Sequence, residues 1–146
     1  MRRLILAALC CAAVVAPATY APAAFTPPPV PQGAYTPFTP TVTAGSGTLT
    51  TVSASGRWQQ TGKRVDYAIN ITITTNGSGA QDIRATLPVP ALAGVTQVGF
   101  GRNIATGPML QAAIAGGSTV VINKYDNTYP GADGAVLIVS GSYEAQ

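Results

Sequence analysis

From position 65 to position 73 every odd-numbered residue is apolar (Val65, Tyr67, Ile69, Ile71, Ile73), while Asp66, Asn70 and Thr72 stand at even positions. Successive side chains of a strand point to opposite faces, so this spacing predicts a half-buried strand with five apolar groups on one side. Asn76-Gly77 follows directly and predicts a tight hairpin, because that dipeptide tolerates the positive φ that two-residue turns require.

The same period recurs elsewhere, punctuated by glycine. Residues 39–43 and 48–53 are rich in Thr and Val around a Gly45-Ser46-Gly47 turn, and residues 56–60 and 63–75 are joined at Thr61-Gly62. Residues 82–87 place Ile83, Ala85 and Leu87 on one face, and Pro88 and Pro90 are expected to end that strand because neither can donate to a ladder. Residues 95–100 continue the pattern until Gly101 and Gly107-Pro108 break the chain. Residues 109–115 read as a strand or irregular loop rather than a helical turn. Residues 119–125 pair forward, and residues 135–143 close the domain after Asp133-Gly134. The last run, Val136-Leu137-Ile138-Val139, has few polar interruptions and is expected to be central and covered on both faces. About eight short strands with such turns predict an all-β fold, an antiparallel β-sandwich of jelly-roll-like form.

Length and composition sharpen this expectation. A chain of 146 residues leaves room for one domain once its amino-terminal segments are set aside. Residues 1–23 read as an export signal: Arg2-Arg3, an uncharged apolar run over 4–16, then small residues with Ala-x-Ala spacing that allow cleavage after Ala18 or Ala23. That run is well short of the ~20 residues a membrane-spanning helix needs, so no stable span is expected. Ala7-Ala8-Leu9 lacks the order a lipobox requires ahead of Cys10 or Cys11, the two cysteines of the chain. Cleavage would remove both thiols, and with them any disulfide or cysteine-based metal site.

Residues 24–40 form a proline-rich linker (Pro27, Pro28, Pro29, Pro31, Pro37, Pro40), expected to be an extended tether ahead of a folded domain over 41–146. Sequence features that are foldable begin near Tyr35.

Charge is sparse, 9% of residues against 47% apolar, and without Arg2 and Arg3 the balance is six basic to five acidic side chains, or +1. No basic stripe suits a phosphate backbone, and nucleic acid is not expected as a partner.

The inventory for catalysis is thin. There is no histidine, so the commonest general base and metal ligand is missing. No Gly-x-Ser-x-Gly motif supports a serine nucleophile. Asp126 and Asp133 bracket a loop whose oxygens could gather around calcium or flank a glycosidic bond, yet the spacing fits no EF-hand. Asn, Asp, Pro and Gly are also what any turn demands. No catalytic residue, metal or cofactor is assigned, and the chain is read as a non-enzyme.

Exposed aromatic side chains are the better candidates, since sugar rings stack on Trp and Tyr faces while amides and Arg bind hydroxyls. Trp58, Tyr125 and Tyr129 are the available platforms, with Arg57, Asp126 and Asn127 beside them in sequence. Trp58 sits in a strand-like run, where an aromatic more often packs on the core or at a subunit contact. Tyr125 and Tyr129 flank a loop.

Several segments together resemble the carboxy-terminal β domains of bacteriophage tail-fibre and related virion proteins. They are Tyr35-Thr36-Pro37, Thr41-Val42-Thr43-Ala44-Gly45-Ser46-Gly47, Ala54-Ser55-Gly56-Arg57-Trp58, Thr61-Gly62-Lys63-Arg64-Val65 and Thr86-Leu87-Pro88. Gly101-Arg102-Asn103, Ala105-Thr106-Gly107 and Asn123-Lys124-Tyr125-Asp126-Asn127-Thr128-Tyr129-Pro130 match as well, so the resemblance covers residues 35–144. It implies a β-sandwich that assembles as a homotrimer and touches a host or cell surface, often through glycan, with loops carrying recognition. It transfers a contact role to Tyr125, Asp126, Asn127 and Tyr129, with Trp58 as a further ligand-binding candidate read from its own chemistry. The export-type segment supports a second expectation, a secreted or cell-surface carbohydrate-binding or adhesion module with no virion role.

Overall fold

The computed structural model describes residues 34–146. The export segment assigned to 1–23 and the linker as far as residue 33 lie outside the described residues. Nine strands form: β1 (Thr36–Phe38), β2 (Val42–Ser46), β3 (Thr51–Thr61), β4 (Arg64–Thr75), β5 (Ala80–Ala91), β6 (Gln97–Asn103), β7 (Met109–Ile114), β8 (Gly117–Lys124) and β9 (Ala135–Glu144). They make one sheet in the order β1-β3-β4-β9-β6-β7-β8-β5-β2, with every neighbouring pair antiparallel. The sheet curls until the end of β5 meets the end of β9. Ala91 bridges Ala145, Leu92 N–H donates to the Glu144 carbonyl at 2.8 Å, and Gln146 N–H donates to the Pro90 carbonyl at 3.1 Å. The result is the all-β, antiparallel, sandwich-like architecture that the alternation predicts, built from one folded-over sheet.

The inner face holds the core. Val65, Tyr67, Ile69, Ile71 and Ile73 of β4 are all buried in one core with Ile83 of β5, Ile122 of β8 and Leu137 of the adjacent β9. Each large apolar side chain so buried contributes about 1.5–3 kcal/mol. A one-residue slip of β4 would exchange this set for Asp66, Ala68, Asn70 and Thr72, and that cost pins the register.

Local expectations differ from the structure at several places, one of them the Gly45-Ser46-Gly47 turn, whose first two residues end strand β2. Asn76-Gly77 makes a turn, with Gly77 at φ +62° and Gly79 N–H donating to the Asn76 carbonyl at 3.2 Å. The flanking strands do not pair, however: β4 lies between β3 and β9, while β5 lies between β8 and β2. The turn carries the chain across the fold instead of closing a hairpin. The hairpin beside β4 is the β3–β4 pair, whose turn places Gly62 at φ +61°, the glycine that type II′ turns need first.

The runs expected over 48–53 and 56–60 join as the single strand β3 over Thr51–Thr61, with Gly56 mid-strand because the Phe38 ring of β1 occupies the space a Cβ would need. The residues Thr36–Phe38 themselves lie in the proline-rich stretch, and Pro37 is tolerated there because β1 is an edge strand.

β5 runs through Pro88 and Pro90 to Ala91. Its pairing with β8 jumps from Thr86–Thr119 to Ala91–Gly117, so the intervening prolines face no ladder acceptor. What this bulge supplies is carbonyls, and proline has one: Val89 accepts from the Tyr143 hydroxyl at 2.8 Å and Pro90 from Gln146 N–H.

β9 is central, between β4 and β6, but only one of its faces is covered. Ile138 stands 37% exposed on the outer face. An unbroken apolar run fits a strand buried on both sides and also a strand with one apolar face left open.

Candidate functional site

The β8–β9 connection is a loop tied down at both ends. Lys124 N–H donates to the Thr128 carbonyl at 3.0 Å, and Asn127 N–H returns to the Lys124 carbonyl at 3.0 Å. Asn127 takes φ +62°, a left-handed conformation that Asn accepts more readily than most residues. The Asp126 carboxylate accepts from the Thr128 hydroxyl at 2.6 Å and the Thr128 N–H at 3.1 Å. Those bonds hold its pKa below the ordinary carboxylate value, the hydroxyl contributing most.

At the far end Asn76 is the hub. Its side-chain carbonyl accepts from the Tyr129 hydroxyl at 2.5 Å, and its backbone N–H donates to Asp133 at 2.7 Å. Burial pushes the Tyr129 phenol up against the opposing effect of that bond.

The structure therefore divides the residues that the sequence singled out. Tyr125 is 72% exposed and free to meet a ligand. Asp126 is exposed but engaged within the loop, Asn127 is exposed with its side-chain carbonyl taken by Gln111 of β7, and Tyr129 is a half-buried pin packed against the core. Trp58 lies elsewhere. It points inward from β3 opposite Tyr67, packs on the core, and sits seven positions along the strand from Thr51, roughly 23 Å from the Asn76 end.

The outer face of the sheet reveals what the sequence reading missed. Register places Arg57 of β3, Ala68 of β4, Ser140 of β9, Phe100 of β6 and Gln111 of β7 in one row across five strands. The adjacent row is Ser55, Asn70, Ile138, Arg102 and Met109. Phe100 is 67% exposed, and Val98, Met109, Ile104 and Ile138 add apolar surface around it. The Gln111 side chain donates to the Asn127 side-chain carbonyl, so the β8–β9 loop joins this face directly.

Apolar outward positions on β6 follow from what fills its inward ones. A Cβ on Gly99 would stand 2.7 Å from the Tyr67 hydroxyl, and one on Gly101 would stand 2.1 Å from the Ile138 carbonyl. Only glycine fits underneath, and the large side chains Val98 and Phe100 point to solvent. The signal available in the sequence is the alternation Val98-Gly99-Phe100-Gly101, which period alone reads as a buried apolar face.

Three shallow depressions on this face share lining residues and form one continuous groove. The first is lined by Ser53, Ser55, Asn70 and Thr72. The second, of about 590 Å³, adds Arg57, Ala68, Ile138 and Ser140 to Ser55 and Asn70. The third continues from Ile138 and Ser140 to Phe100, Arg102, Ile104 and Met109. The groove thus grades from hydroxyls and an amide, past a guanidinium, to an aromatic and aliphatic end.

Fold and surface define a sandwich-like all-β domain with an open, chemically graded outer face. Comparison with protein-family models, with curated proteins and with solved structures finds no match. Among the described residues no helix is long and apolar enough to cross a membrane, and no group of three or more His, Cys, Asp or Glu side chains is placed to hold a metal ion.

Proposed function

We propose that this chain is a non-catalytic, tail-fibre-like recognition domain that contacts glycan on a host or cell surface through the outer face of its sheet and the adjoining β8–β9 loop. The observation that carries the reading is the row Arg57, Ala68, Ser140, Phe100, Gln111, in which an exposed aromatic ring stands among hydroxyl, amide and guanidinium groups. Sugar rings present an apolar face to stack on such a ring and hydroxyls to meet such donors and acceptors. Tyr125, whose N–H donates to the Met109 carbonyl at the start of β7, supplies a second platform two strands from Phe100.

A role without chemistry on the ligand is supported by how the acids are used. Asp66 and Asp82 pair with Arg64 and Arg84 at 2.9 and 2.8 Å, while Asp126 and Asp133 hold the loop. The domain works as a homotrimer, and Val95 and Val98, exposed beyond the groove, are apolar surface for a neighbouring copy. Its place is secreted, at the cell surface, or in a virion.

The test is binding of the purified chain to a glycan array and to intact cells, with its mass measured in solution. Binding should weaken in Phe100→Ala and Tyr125→Ala and persist in Trp58→Phe; the absence of any glycan or cell binding refutes the reading. Peptides from residues 41–143 in purified particles would place the protein in a virion, and their absence there would favour a secreted module. Release of sugar by the wild-type chain that Asp126→Asn or Asp133→Asn abolishes would overturn the non-enzymatic assignment.

A further inference from the structure

The described residues include four arginines, and they fall into two pairs. Arg64 and Arg84 are each neutralised by an aspartate two positions away. Arg57 and Arg102 have no carboxylate partner among the described residues. Arg57 lies over the Tyr35 ring, its guanidinium carbon 5.3 Å from the centroid, and Arg102 donates from Nε to the Gly107 carbonyl at 3.2 Å. Both hold their orientation through neutral groups, and both line the outer-face groove, whose own lining holds no acidic side chain among the described residues; Asp66, one row beyond Ala68 on the same face, is paired with Arg64.

We propose that this groove binds an acidic oligosaccharide, with Arg57 and Arg102 each receiving a carboxylate and Phe100, next to Arg102 on β6, stacking on one of its rings. The inference rests on the glycan-binding reading above and adds the site and the class of sugar.

The spacing fits an extended ligand. β3 and β6 are separated by β4 and β9, and Arg102 stands one row along from Arg57, which puts the two arginines about 16 Å apart at ~4.8 Å per strand and ~3.4 Å per residue. A single small anion cannot span that distance. The floor between them is low, because Ala68 and Ser140 are the intervening residues of the Arg57 row. Asn70 and Ser55 offer an amide and a hydroxyl on one side of that floor, and Phe100 rises on the other. A guanidinium presents a planar fork matched to a carboxylate, and an orienting contact with an aromatic ring or a backbone carbonyl reduces the freedom lost on binding. The hydroxyl and amide lining beside a stacking ring matches a sugar, which carries a hydroxyl on nearly every ring carbon and an apolar ring face, more fully than an acidic peptide, whose backbone offers fewer such groups.

The test uses the full chain against immobilised oligogalacturonate, oligoalginate and sialyl-oligosaccharides, each beside its carboxyl-reduced form. At least one acidic probe should bind about tenfold or more tightly than its reduced form, and the preference should shrink as salt rises. Arg57→Gln and Arg102→Gln should each remove most of that preference, with Arg57→Lys keeping part of it. Phe100→Ala should weaken acidic and reduced forms alike. Both arginines are exposed, and an unchanged melting temperature verifies that the variants fold.

Equal binding of acidic and reduced forms would overturn this inference and leave the glycan reading standing, whereas no binding to any sugar would overturn both. A preference that survives the Arg57→Gln/Arg102→Gln pair would overturn the groove as its site. Stronger arginine-dependent binding of polyglutamate than of any sugar would replace the ligand with an acidic peptide.

Discussion

Replacing Tyr67 with phenylalanine removes one oxygen from the core and leaves its packing in place. The ring is 3% exposed, lies 5.8 Å from the Tyr143 ring at 56°, and covers Gly99 and Gly141. The Tyr143 hydroxyl donates to a carbonyl, but the Tyr67 hydroxyl has no hydrogen-bond partner among the described residues. A buried hydroxyl left in that condition costs about 1–3 kcal/mol. Tyr67→Phe should therefore stabilise the domain by about 1–2 kcal/mol at pH 7, near 4 °C in Tm for each kcal/mol at this size.

Alkaline pH provides the second arm of this test. Burial, followed by the neighbouring Tyr143, pushes the Tyr67 phenol up from 10.0 to about 12. The folded state keeps this proton where the unfolded state has lost it, so its contribution is complete below pH 10 and is lost as pH rises through 12. The total is about 3 kcal/mol, of which about half has gone by pH 11. Urea unfolding followed by Trp58 fluorescence at pH 7 and pH 11 should show the wild type losing about that much more than Tyr67→Phe between the two conditions. A variant less stable than wild type at pH 7, or one with an equal alkaline loss, would refute the reasoning and give the hydroxyl a partner.

Gly101→Ala should destabilise by about 1–3 kcal/mol in the same urea assay, because the new Cβ meets the Ile138 carbonyl and one of the two strands must shift. Tyr129→Phe should cost about 1 kcal/mol and raise amide hydrogen exchange in the β8–β9 loop, since the bond to Asn76 is lost. Thr128→Val should raise the Asp126 pKa, read by NMR titration, because the hydroxyl bond is the main cause of its depression. The sign follows from that depression: Asp126 adds stability above its unfolded pKa that is lost as pH falls through the folded value, and Thr128→Val should shrink this acid-side loss.

Strand β4 was legible because its five inward residues and three of its outward ones differ in polarity, and period two admits no other element. The same holds for Ile83, Ala85 and Leu87 on β5. The candidate site was legible only in its loop. Tyr125 emerges exposed, whereas Tyr129 is spent on Asn76, a residue 53 positions away that no local spacing connects to it.

What the sequence determined by itself was the element type, an all-β chain, and the residues that line its interior, since alternation is a local property carried by each strand alone. Tertiary structure decided which strands pair. It placed β4 and β5 in different parts of the sheet despite Asn76-Gly77 between them, and carried β5 through two prolines where carbonyls alone were needed. It also decided which apolar face meets water. On β6 the answer came from Tyr67 and from the β9 backbone, which leave room beneath only for glycine and turn Phe100 outward beside Arg57 and Arg102. Such exclusions depend on the volume of neighbours brought in from distant positions, and a linear pattern does not record them.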